Sequence, residues 1–305
     1  MAGCETSHLF GELDMVLLDK YIRWAALGIT KLKTPFLFCF SSHLHYLCIS
    51  NTITMKFKTL MLSIAIAGTL SAGASEVIAH RGNWKTPGAY QNTIAALVAS
   101  DSTAYYGSEF DVWLTADNRL VVHHDDKAYG TDVMIQDAAR ADFADVRLPN
   151  GEAIPSLANF LAAAQKTRVK LIFELKPHRD AAREREAVSR SIELLKRYGL
   201  LERTEFITFS KNALLEFIRL SDRPAYYLNG EMTPAELKEV GAAGADYHHS
   251  VFKAHPEWIE ECHKLGMKVN AWTVDKDEDI RWCIDNGVDF ITTNVPFKVR
   301  EMIDK

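Results

Sequence analysis

The sequence has few cysteines, no excess of basic charge and no internal repeat at a solenoid period. Of its five cysteines, only Cys262 and Cys283 follow residue 74. Both fall in segments with helical character, so they are predicted to be packing residues, and a disulfide is not implied. The 35 Lys and Arg residues are outnumbered by 40 Asp and Glu residues, which gives a net charge of −5. This balance argues against a nucleic-acid-binding protein and gives no sign of a basic membrane-docking face.

The first 74 residues differ in character from the rest of the chain. Residues 1–54 hold three cysteines and an irregular apolar patch, and they sustain neither a helical nor a strand period. Residues 55–74 begin with a short basic segment, continue with an apolar core at 59–70 and end in Ala-Gly-Ala. Those parts predict a secretory signal peptide, whose core is too short to span a bilayer comfortably.

Because a signal peptide begins at a native N-terminus, residues 1–54 are predicted to be a non-native upstream extension of the reading frame. The alternative is a genuine N-terminal region with an uncleaved anchor. On the first interpretation the mature chain spans residues 75–305 and is secreted across the inner membrane, with the periplasm as the expected compartment. Six of the 35 basic and four of the 40 acidic residues precede residue 75, which leaves 29 against 36 and a net charge of −7.

Strand and helix patterns alternate along residues 75–305 with short connections. Eight βα units of this kind predict an α/β fold, a closed parallel (β/α)₈ barrel of the TIM type. A hairpin strand at 119–123 and a polar insertion at 126–152 follow the second barrel strand. The predicted barrel strands are 76–80, 107–113, 170–175, 205–209, 224–228, 245–249, 268–274 and 289–293. The predicted helices are 93–100, 156–166, 180–198, 211–221, 234–243, 256–265, 277–286 and 296–304.

Three carboxylates end apolar strands, at the position where such a barrel places its active site. Glu109 and Asp111 are two residues apart, so both project from one face of the second strand. Glu174 ends a later strand in the same way. Neighbouring carboxylates repel one another unless a cation or a shared proton lies between them. A single Glu-x-Asp pair is more often an exposed strand edge, but the third carboxylate and the nearby histidines favour a metal site.

Other ionisable and aromatic side chains are predicted at the same rim. His80 and Arg81 follow the first strand, and Lys176 follows Glu174. His123 and His124 must face opposite ways, and we expect His124 to enter the site with support from Asp125. The remaining rim residues include Trp272, which suits the apolar side of a substrate or the barrel core, and His248 and His249, which suit substrate contact or packing equally.

Five ordered motifs resemble the glycerophosphodiester phosphodiesterase family. They are His80-Arg81-Gly82, Gln91-Asn92-Thr93, Glu109-x-Asp111, His124-Asp125 and Glu174-x-Lys176, and the segments Trp272-Thr273-Val274 and Thr292-Thr293-Asn294 resemble the family's last strands. The resemblance covers essentially residues 76–303. It implies a (β/α)₈ barrel that hydrolyses a small-molecule glycerophosphodiester to glycerol 3-phosphate and an alcohol, with one divalent cation.

The resemblance also implies roles for individual residues. The cation ligands correspond to Glu109, Asp111 and Glu174, and oxygen-only ligands suit Ca²⁺ or Mg²⁺. The acid–base histidines correspond to His80 and His124. The phosphate and substrate contacts are expected from Arg81, Lys176, Gln91, Asn92 and Trp272. In the family the first nucleophile is thought to be the neighbouring glycerol hydroxyl, which forms a cyclic phosphate that water then opens.

One motif departs from the family pattern. The family usually has Pro-Glu-Asn-Thr where this chain has Tyr90-Gln91-Asn92-Thr93. If the glutamate orients the arginine, the uncharged Gln91 amide would do so more weakly, and the change bears on substrate preference.

Three functions remain open at this point. The first is a secreted, metal-dependent phosphodiesterase acting on glycerophosphodiesters. The second is a related phospholipase acting on intact lipids, which the polar insertion 126–152 argues against. The third is a non-catalytic barrel that binds phosphate or carbohydrate, whereas a zinc hydrolase is disfavoured because no His-x-His opens the first strand. We expect the first, with no nucleic-acid partner and no stable membrane insertion of residues 75–305; the alcohol group and the oligomeric state stay open.

Overall fold

The structure is a computed structural model that describes residues 74–103 and 105–305. The predicted extension 1–54 lies outside the described residues, and so does the predicted signal peptide apart from Ala74. No helix among the described residues is both long enough and apolar enough to cross a membrane.

Eight parallel strands form a closed barrel, because β1 pairs with β2 on one side and with β9 on the other. The order around the sheet is β1-β9-β8-β7-β6-β5-β4-β2, and β3 adds to β2 as an antiparallel hairpin. The predicted (β/α)₈ TIM barrel is therefore confirmed. The strands are β1 Glu76–Ala79, β2 Gly107–Leu114, β3 Leu120–Val122, β4 Lys170–Leu175, β5 Thr204–Thr208, β6 Ala225–Tyr227, β7 Gly244–His248, β8 Lys268–Trp272 and β9 Phe290–Thr293.

Helices connect the strands and form the outer layer. Most of them begin at a side chain that accepts a hydrogen bond from the first helical turn. The predicted caps Ser156 and Thr233 both do so, and Thr233 forms a capping box with Glu236 ahead of Pro234. The helices are α1 Ile94–Asp101, α2 Leu157–Ala164, α3 Ala181–Arg197, α4 Lys211–Leu220, α5 Pro234–Val240, α6 His249–Ala254, α7 Glu257–Lys264, α8 Asp277–Asp285 and α9 Pro296–Ile303.

Two apolar regions stabilise the barrel. The larger one lies between the strands and the helices, where the rings of Phe206 and Phe217 stack and Phe173 packs edge-on against both. The smaller one fills the barrel interior and includes Ile172 and Ile207. Because successive strand residues point to opposite faces, strands such as β1 and β4 contribute to both regions in alternation, with Val77 and Ile78 as one example.

The insertion after β3 folds onto the hairpin. Two short 3₁₀ helices, Ile135–Asp137 and Arg140–Phe143, carry buried apolar residues that pack with Trp113 and Val121 into a separate small cluster. The polar residues that the sequence shows in this segment therefore cover a packed interior.

One helix was not predicted from the sequence, and several predicted strand and helix ends differ by one to three residues. The strand predicted at 245–249 corresponds to β7, which ends at His248, and the unpredicted helix α6 begins at His249. The His248 side chain accepts a hydrogen bond from the backbone N–H of Ser250, which turns the chain into the helix. This local capping contact overrides the extended pattern of the sequence.

Candidate active site

Three buried carboxylates meet at the carboxyl ends of β2 and β4. Glu109 and Asp111 extend from β2, and Glu174 extends from β4, where Asp111 and Glu174 are direct neighbours in the strand register. One oxygen of each residue lies within 4.8 Å of the others. The three side chains are almost fully removed from solvent. The sequence-predicted cluster is thus brought together.

Donors on neighbouring segments hold two of these carboxylates. The Lys176 ammonium lies 3.1 Å from Asp111 Oδ1 and 2.7 Å from Glu174 Oε1. The amide of Asn92 donates to Asp111 Oδ2 at 2.7 Å, and its oxygen accepts from the Asp111 backbone N–H at 3.0 Å. Asn92 was expected to contact substrate, but it is buried and its amide orients Asp111.

The carboxylates differ in how readily they ionise. Burial, together with the charges of Asp111 and Glu174, raises the pKa of Glu109 well above its usual range. Burial and Asp111 likewise raise the pKa of Glu174 to about 7. Burial also opposes ionisation of Asp111, but Lys176, His124 and Arg81 outweigh it and hold its pKa below the usual range. Such a cluster ionises completely only when more positive charge is supplied.

Arg81 lies in the turn that follows β1. Its φ of 56° and the φ of 79° at Gly82 turn the chain sharply, and a Cβ at Gly82 would come within 2.7 Å of the Ala96 Cβ in α1. The Arg81 backbone N–H donates to Glu109 Oε2 at 2.6 Å. Its guanidinium donates to Gln91 Oε1, so the uncharged amide does orient the arginine.

A relay of hydrogen bonds orients His80. Trp84 Nε1 donates to Asn294 Oδ1 at 3.0 Å, while Asn294 Nδ2 donates to Asp275 Oδ2 at 2.8 Å. Since an indole N–H can only donate, the Asn294 oxygen is the atom that faces His80. His80 Nδ1, 2.9 Å from that oxygen, must therefore carry the proton, which leaves Nε2 as the basic atom, 4.0 Å from Glu109 Oε2. Burial and the charge of Arg81 lower the pKa of His80 to about 4.

His124 approaches from the other side of the carboxylates. Its Nδ1 lies 2.7 Å from Asp125 Oδ1, and its carbonyl accepts from Trp113 Nε1 at 3.3 Å. Burial lowers the pKa of His124. His123 points away, as predicted, and its ring contacts the Lys127 carbonyl.

A cavity of about 100 Å³ opens onto these groups. One side of it is charged and the other is apolar, formed by Ile207, Phe209, Leu228 and Trp272. The Trp272 indole N–H donates to the Asp246 carbonyl at 2.9 Å. The lining residues that the sequence predicted are His80, Arg81, Glu109, His124, Glu174, Lys176 and Trp272.

Comparison with known proteins assigns this arrangement to a family. A sequence model of the glycerophosphoryl diester phosphodiesterase family matches residues 80–298, most of the chain. The chain belongs to this family. The resemblance to this family that the sequence showed is thereby confirmed. The predicted enzyme class, a phosphoric diester hydrolase, is confirmed as well.

Individual relatives agree with the assignment. The chain is similar to a glycerophosphodiester phosphodiesterase from Caldanaerobacter subterraneus, with 28% identity over 75% of this chain and 98% of the relative. It is similar to the crystal structure of a glycerophosphodiester phosphodiesterase from Parabacteroides distasonis, with 45% identity, a TM-score of 0.74, and coverage of 76% of this chain and 97% of that chain. A phosphodiesterase from Oleispira antarctica, solved with its product sn-glycerol-3-phosphate, shares the fold at 24% identity and a TM-score of 0.67, over 76% of this chain and 98% of that chain.

The residues of this family member fit a divalent cation. Glu109 Oε1 is buried and has no hydrogen-bond partner among the described residues. A buried carboxylate oxygen without a partner is unfavourable unless a ligand binds it. Three converging carboxylates supply the oxygen ligands that Ca²⁺ and Mg²⁺ prefer.

Three site residues were missed or left without a role. Asn294 was only one of several strand-end residues in the sequence, and Asp275 and Asp246 were not singled out. Asp275 acts through Asn294, a contact between loops that no local pattern reveals. For Asp246 a signal existed, since it precedes His248 by two residues and must share its strand face.

Proposed function

We propose that this protein hydrolyses glycerophosphodiesters to glycerol 3-phosphate and an alcohol with the help of one divalent cation. The observation that carries the proposal is the cavity lined by Glu109, Glu174, two histidines, Arg81 and Lys176, with the third buried carboxylate, Asp111, within 4.8 Å of the other two. Membership of the phosphodiesterase family supports the same reaction.

Glu109, Asp111 and Glu174 would hold the cation, Ca²⁺ or Mg²⁺. When bound, such an ion stabilises the negative charge that develops on the phosphoryl oxygens. The ion also supplies positive charge that favours ionisation of Glu109 and Glu174, whose pKa values are raised in its absence. The unpartnered Glu109 Oε1 supports its place among the ligands.

Arg81 and Lys176 would bind the phosphate. Arg81 presents a planar fork that can donate to two phosphate oxygens, and Gln91 keeps it in place from behind. Lys176 lies between Asp111 and Glu174, and both carboxylates outweigh the effect of burial to raise its pKa. It therefore stays protonated in the pH range of the reaction.

His80 is suited to be the general base. Its lowered pKa keeps the ring neutral near pH 7, and the relay through Asn294 holds the proton on Nδ1. The free Nε2 lone pair is thus available to take the proton of the attacking hydroxyl.

His124 is suited to be the general acid. The Asp125 carboxylate accepts from Nδ1 and partly offsets the lowering of the His124 pKa by burial, so that the protonated ring can give its Nε2 proton to the leaving oxygen. When water opens a cyclic product, the two histidines would exchange roles.

A lipid-directed phospholipase is less well supported. The insertion 126–152 packs most of its apolar residues against Trp113 and Val121, and among its large apolar side chains only Tyr129 is exposed. A non-catalytic barrel is also less well supported, because both histidines and two of the three carboxylates line the cavity, and the third carboxylate, Asp111, lies beside them.

We also propose that the chain is exported after cleavage near residue 74. The basic segment, apolar core and small residues of 55–74 support this. N-terminal sequencing of the protein from fractionated cells would show a start near Ser75 if the proposal holds, and a start at Met1 or Met55 would contradict it.

The function can be tested with glycerophosphocholine and glycerophosphoethanolamine. We would measure release of glycerol 3-phosphate with Ca²⁺, with Mg²⁺ and with a chelator, for the wild type and for Glu109→Ala. Release that needs a cation and disappears in the variant is the expected result. Cation binding without turnover of either diester would indicate another phosphodiester, and neither binding nor turnover would leave the non-catalytic barrel.

A further inference from the structure

The Asp246 carboxyl is a buried polar group that the mechanism does not use. It lies in β7 with 1% of its surface exposed. Neither of its oxygens accepts a hydrogen bond of ordinary geometry among the described residues; the nearest amide, that of its register neighbour Asn270, donates to Thr292. Burying such a group without a partner lowers the stability of the folded chain. A native barrel retains it only if something compensates for that loss.

The compensating group must come from the catalytic cavity. On one side Asp246 lines that cavity. On the other side it borders a space inside the barrel of only about 10 Å³, which is at the lower limit of what one water molecule needs. In the order of the eight barrel strands, β7 is four positions from β2 in either direction. Asp246 therefore stands across the barrel from Glu109 and Asp111.

Among the described residues, no side chain of the cavity donates to Asp246; the Thr292 hydroxyl, which also lines the cavity, donates to Asn270 instead. The walls beside Asp246 are Ile207, Leu228 and Trp272, and the indole N–H of Trp272 already donates to the Asp246 backbone carbonyl. The two cations of the cavity are engaged elsewhere, Arg81 with Gln91 and Lys176 with the carboxylates. A substrate whose phosphate binds over the carboxylates would extend an end group toward Asp246.

We propose that Asp246 is a specificity-determining residue that binds the free terminal hydroxyl of the glycerol unit. This inference rests on the proposed phosphodiesterase function. A hydroxyl can pair with a carboxyl in either protonation state, whereas an ammonium group needs the ionised form. A cavity of about 100 Å³ suits a three-carbon polyol, and the alcohol on the far side of the phosphate then lies at the cavity mouth.

The same contact makes the enzyme reject acylated substrates. An acyl chain on the terminal hydroxyl would remove the donor and leave the Asp246 carboxyl unpaired. Sites built to hydrogen-bond a substrate hydroxyl reject analogues that lack it by up to about 10⁴-fold or more. The contact therefore discriminates against substrates acylated at the terminal hydroxyl, such as 1-acyl lysophospholipids.

The test compares two substrates that differ only at this hydroxyl. They are glycerophosphocholine and the phosphocholine diester of propane-1,2-diol, which keeps the hydroxyl next to the phosphate. The wild type should prefer the first by at least about a hundredfold in kcat/KM. Asp246→Leu should reduce the preference to within about fivefold, mainly by slowing glycerophosphocholine. Asp246→Asn should retain part of it, since an amide still pairs with a hydroxyl.

Glu205→Gln is the matched control, because Glu205 is a buried carboxyl of the same barrel that has partners of its own. It should keep the wild-type preference. An unchanged preference in Asp246→Leu would overturn the inference, as would a wild type that cleaves both diesters equally well. A wild type that cleaves neither would instead contradict the proposed function.

A second measurement does not depend on folding of the variants. Glycerol 3-phosphate and its analogue without the terminal hydroxyl would be compared as competitive inhibitors of the wild type. The inference expects glycerol 3-phosphate to bind at least about thirtyfold more tightly. Equal inhibition constants would overturn it even if Asp246→Leu proved too unstable to assay.

Discussion

The two ends of the barrel treat buried carboxylates in opposite ways. At the amino end, Glu205 Oε1 accepts from the Tyr106 hydroxyl at 2.6 Å and from the Lys170 ammonium at 2.7 Å. At the carboxyl end, Glu109 Oε1 and both oxygens of Asp246 have no partner among the described residues. At the amino end, protein donors pair with the buried carboxylate. At the carboxyl end, the unpaired carboxylate oxygens need a ligand as their partner.

The difference indicates where stability and function lie in this fold. A buried carboxylate that is fully paired contributes to a specific structure, whereas an unpaired one destabilises the chain until a ligand arrives. The carboxyl end is thus less stable than it would be with paired groups, because its unpaired carboxylates are kept for binding a cation and a substrate. The following predictions test this comparison.

The largest effect is expected when a cation ligand is removed. Glu109→Gln should lower kcat/KM by roughly a thousandfold, because the charge that stabilises the transition state is lost with the cation. The same variant should unfold at an equal or higher temperature than the wild type in chelator, since one of three repelling carboxylates is gone. It should also lack the rise in unfolding temperature that Ca²⁺ or Mg²⁺ is expected to give the wild type. A variant that stays active with its cation response intact would remove Glu109 from the site.

A change of the substrate's leaving group should distinguish the roles of His80 and His124. His124→Ala should slow hydrolysis of a glycerophosphodiester with a choline leaving group by several hundredfold, as expected for loss of a general acid. With nitrophenol as the leaving group, which needs no proton, the loss should shrink to about tenfold or less. His80→Ala should lose similar activity on both substrates. The reverse pattern in kcat would exchange the two assignments.

The relay behind His80 should have a smaller effect. Asn294→Ala should lower kcat by roughly tenfold to a hundredfold with KM little changed, because the ring loses its orientation and fixed tautomer. Nitrogen NMR of the imidazole should show the proton on Nδ1 in the wild type and both tautomers in the variant. Asn294→Gln, which keeps the amide group on a side chain that is one methylene longer, serves as the comparison. An unchanged tautomer would show that other contacts orient the ring.

Cation affinity should fall as the pH is lowered. The pKa of Glu174 without a cation is raised to about 7, so below that pH a proton occupies the carboxyl that the cation needs. From pH 8 to pH 6 the affinity for Ca²⁺ should decrease by roughly tenfold, with proton release on binding. Calorimetry in two buffers of different ionisation enthalpy measures both quantities. An affinity independent of pH would mean that Glu174 is already ionised.

The parts of the site that follow a strand rule could be predicted from the sequence. Glu109, Asp111 and Glu174 end apolar strands in a βα alternation, and parallel strands bring their carboxyl ends to one rim. The same rule located His80 and distinguished His124 from His123. What it could not reach were contacts that depend on tertiary position, such as Asp275 holding Asn294, or the Asn92 amide turning toward Asp111. The start of α6 was missed for a similar reason, since a single side-chain cap decided it.

The smallest effect on activity is expected at the amino end. Glu205→Ala removes the acceptor of Tyr106 and Lys170 and leaves their polar groups without a partner inside the barrel. Because Lys170 is partly exposed and can reach water, the expected loss is about 2 kcal/mol in the free energy of unfolding. Activity at 25 °C should stay within about threefold of the wild type, since none of the three residues lines the catalytic cavity. Urea denaturation and steady-state kinetics on the same preparation measure both quantities. An activity loss as large as that of Glu109→Gln in a folded Glu205→Ala protein would contradict this comparison. It would mean that a paired carboxylate at the amino end of the barrel contributes to the chemistry at the carboxyl end.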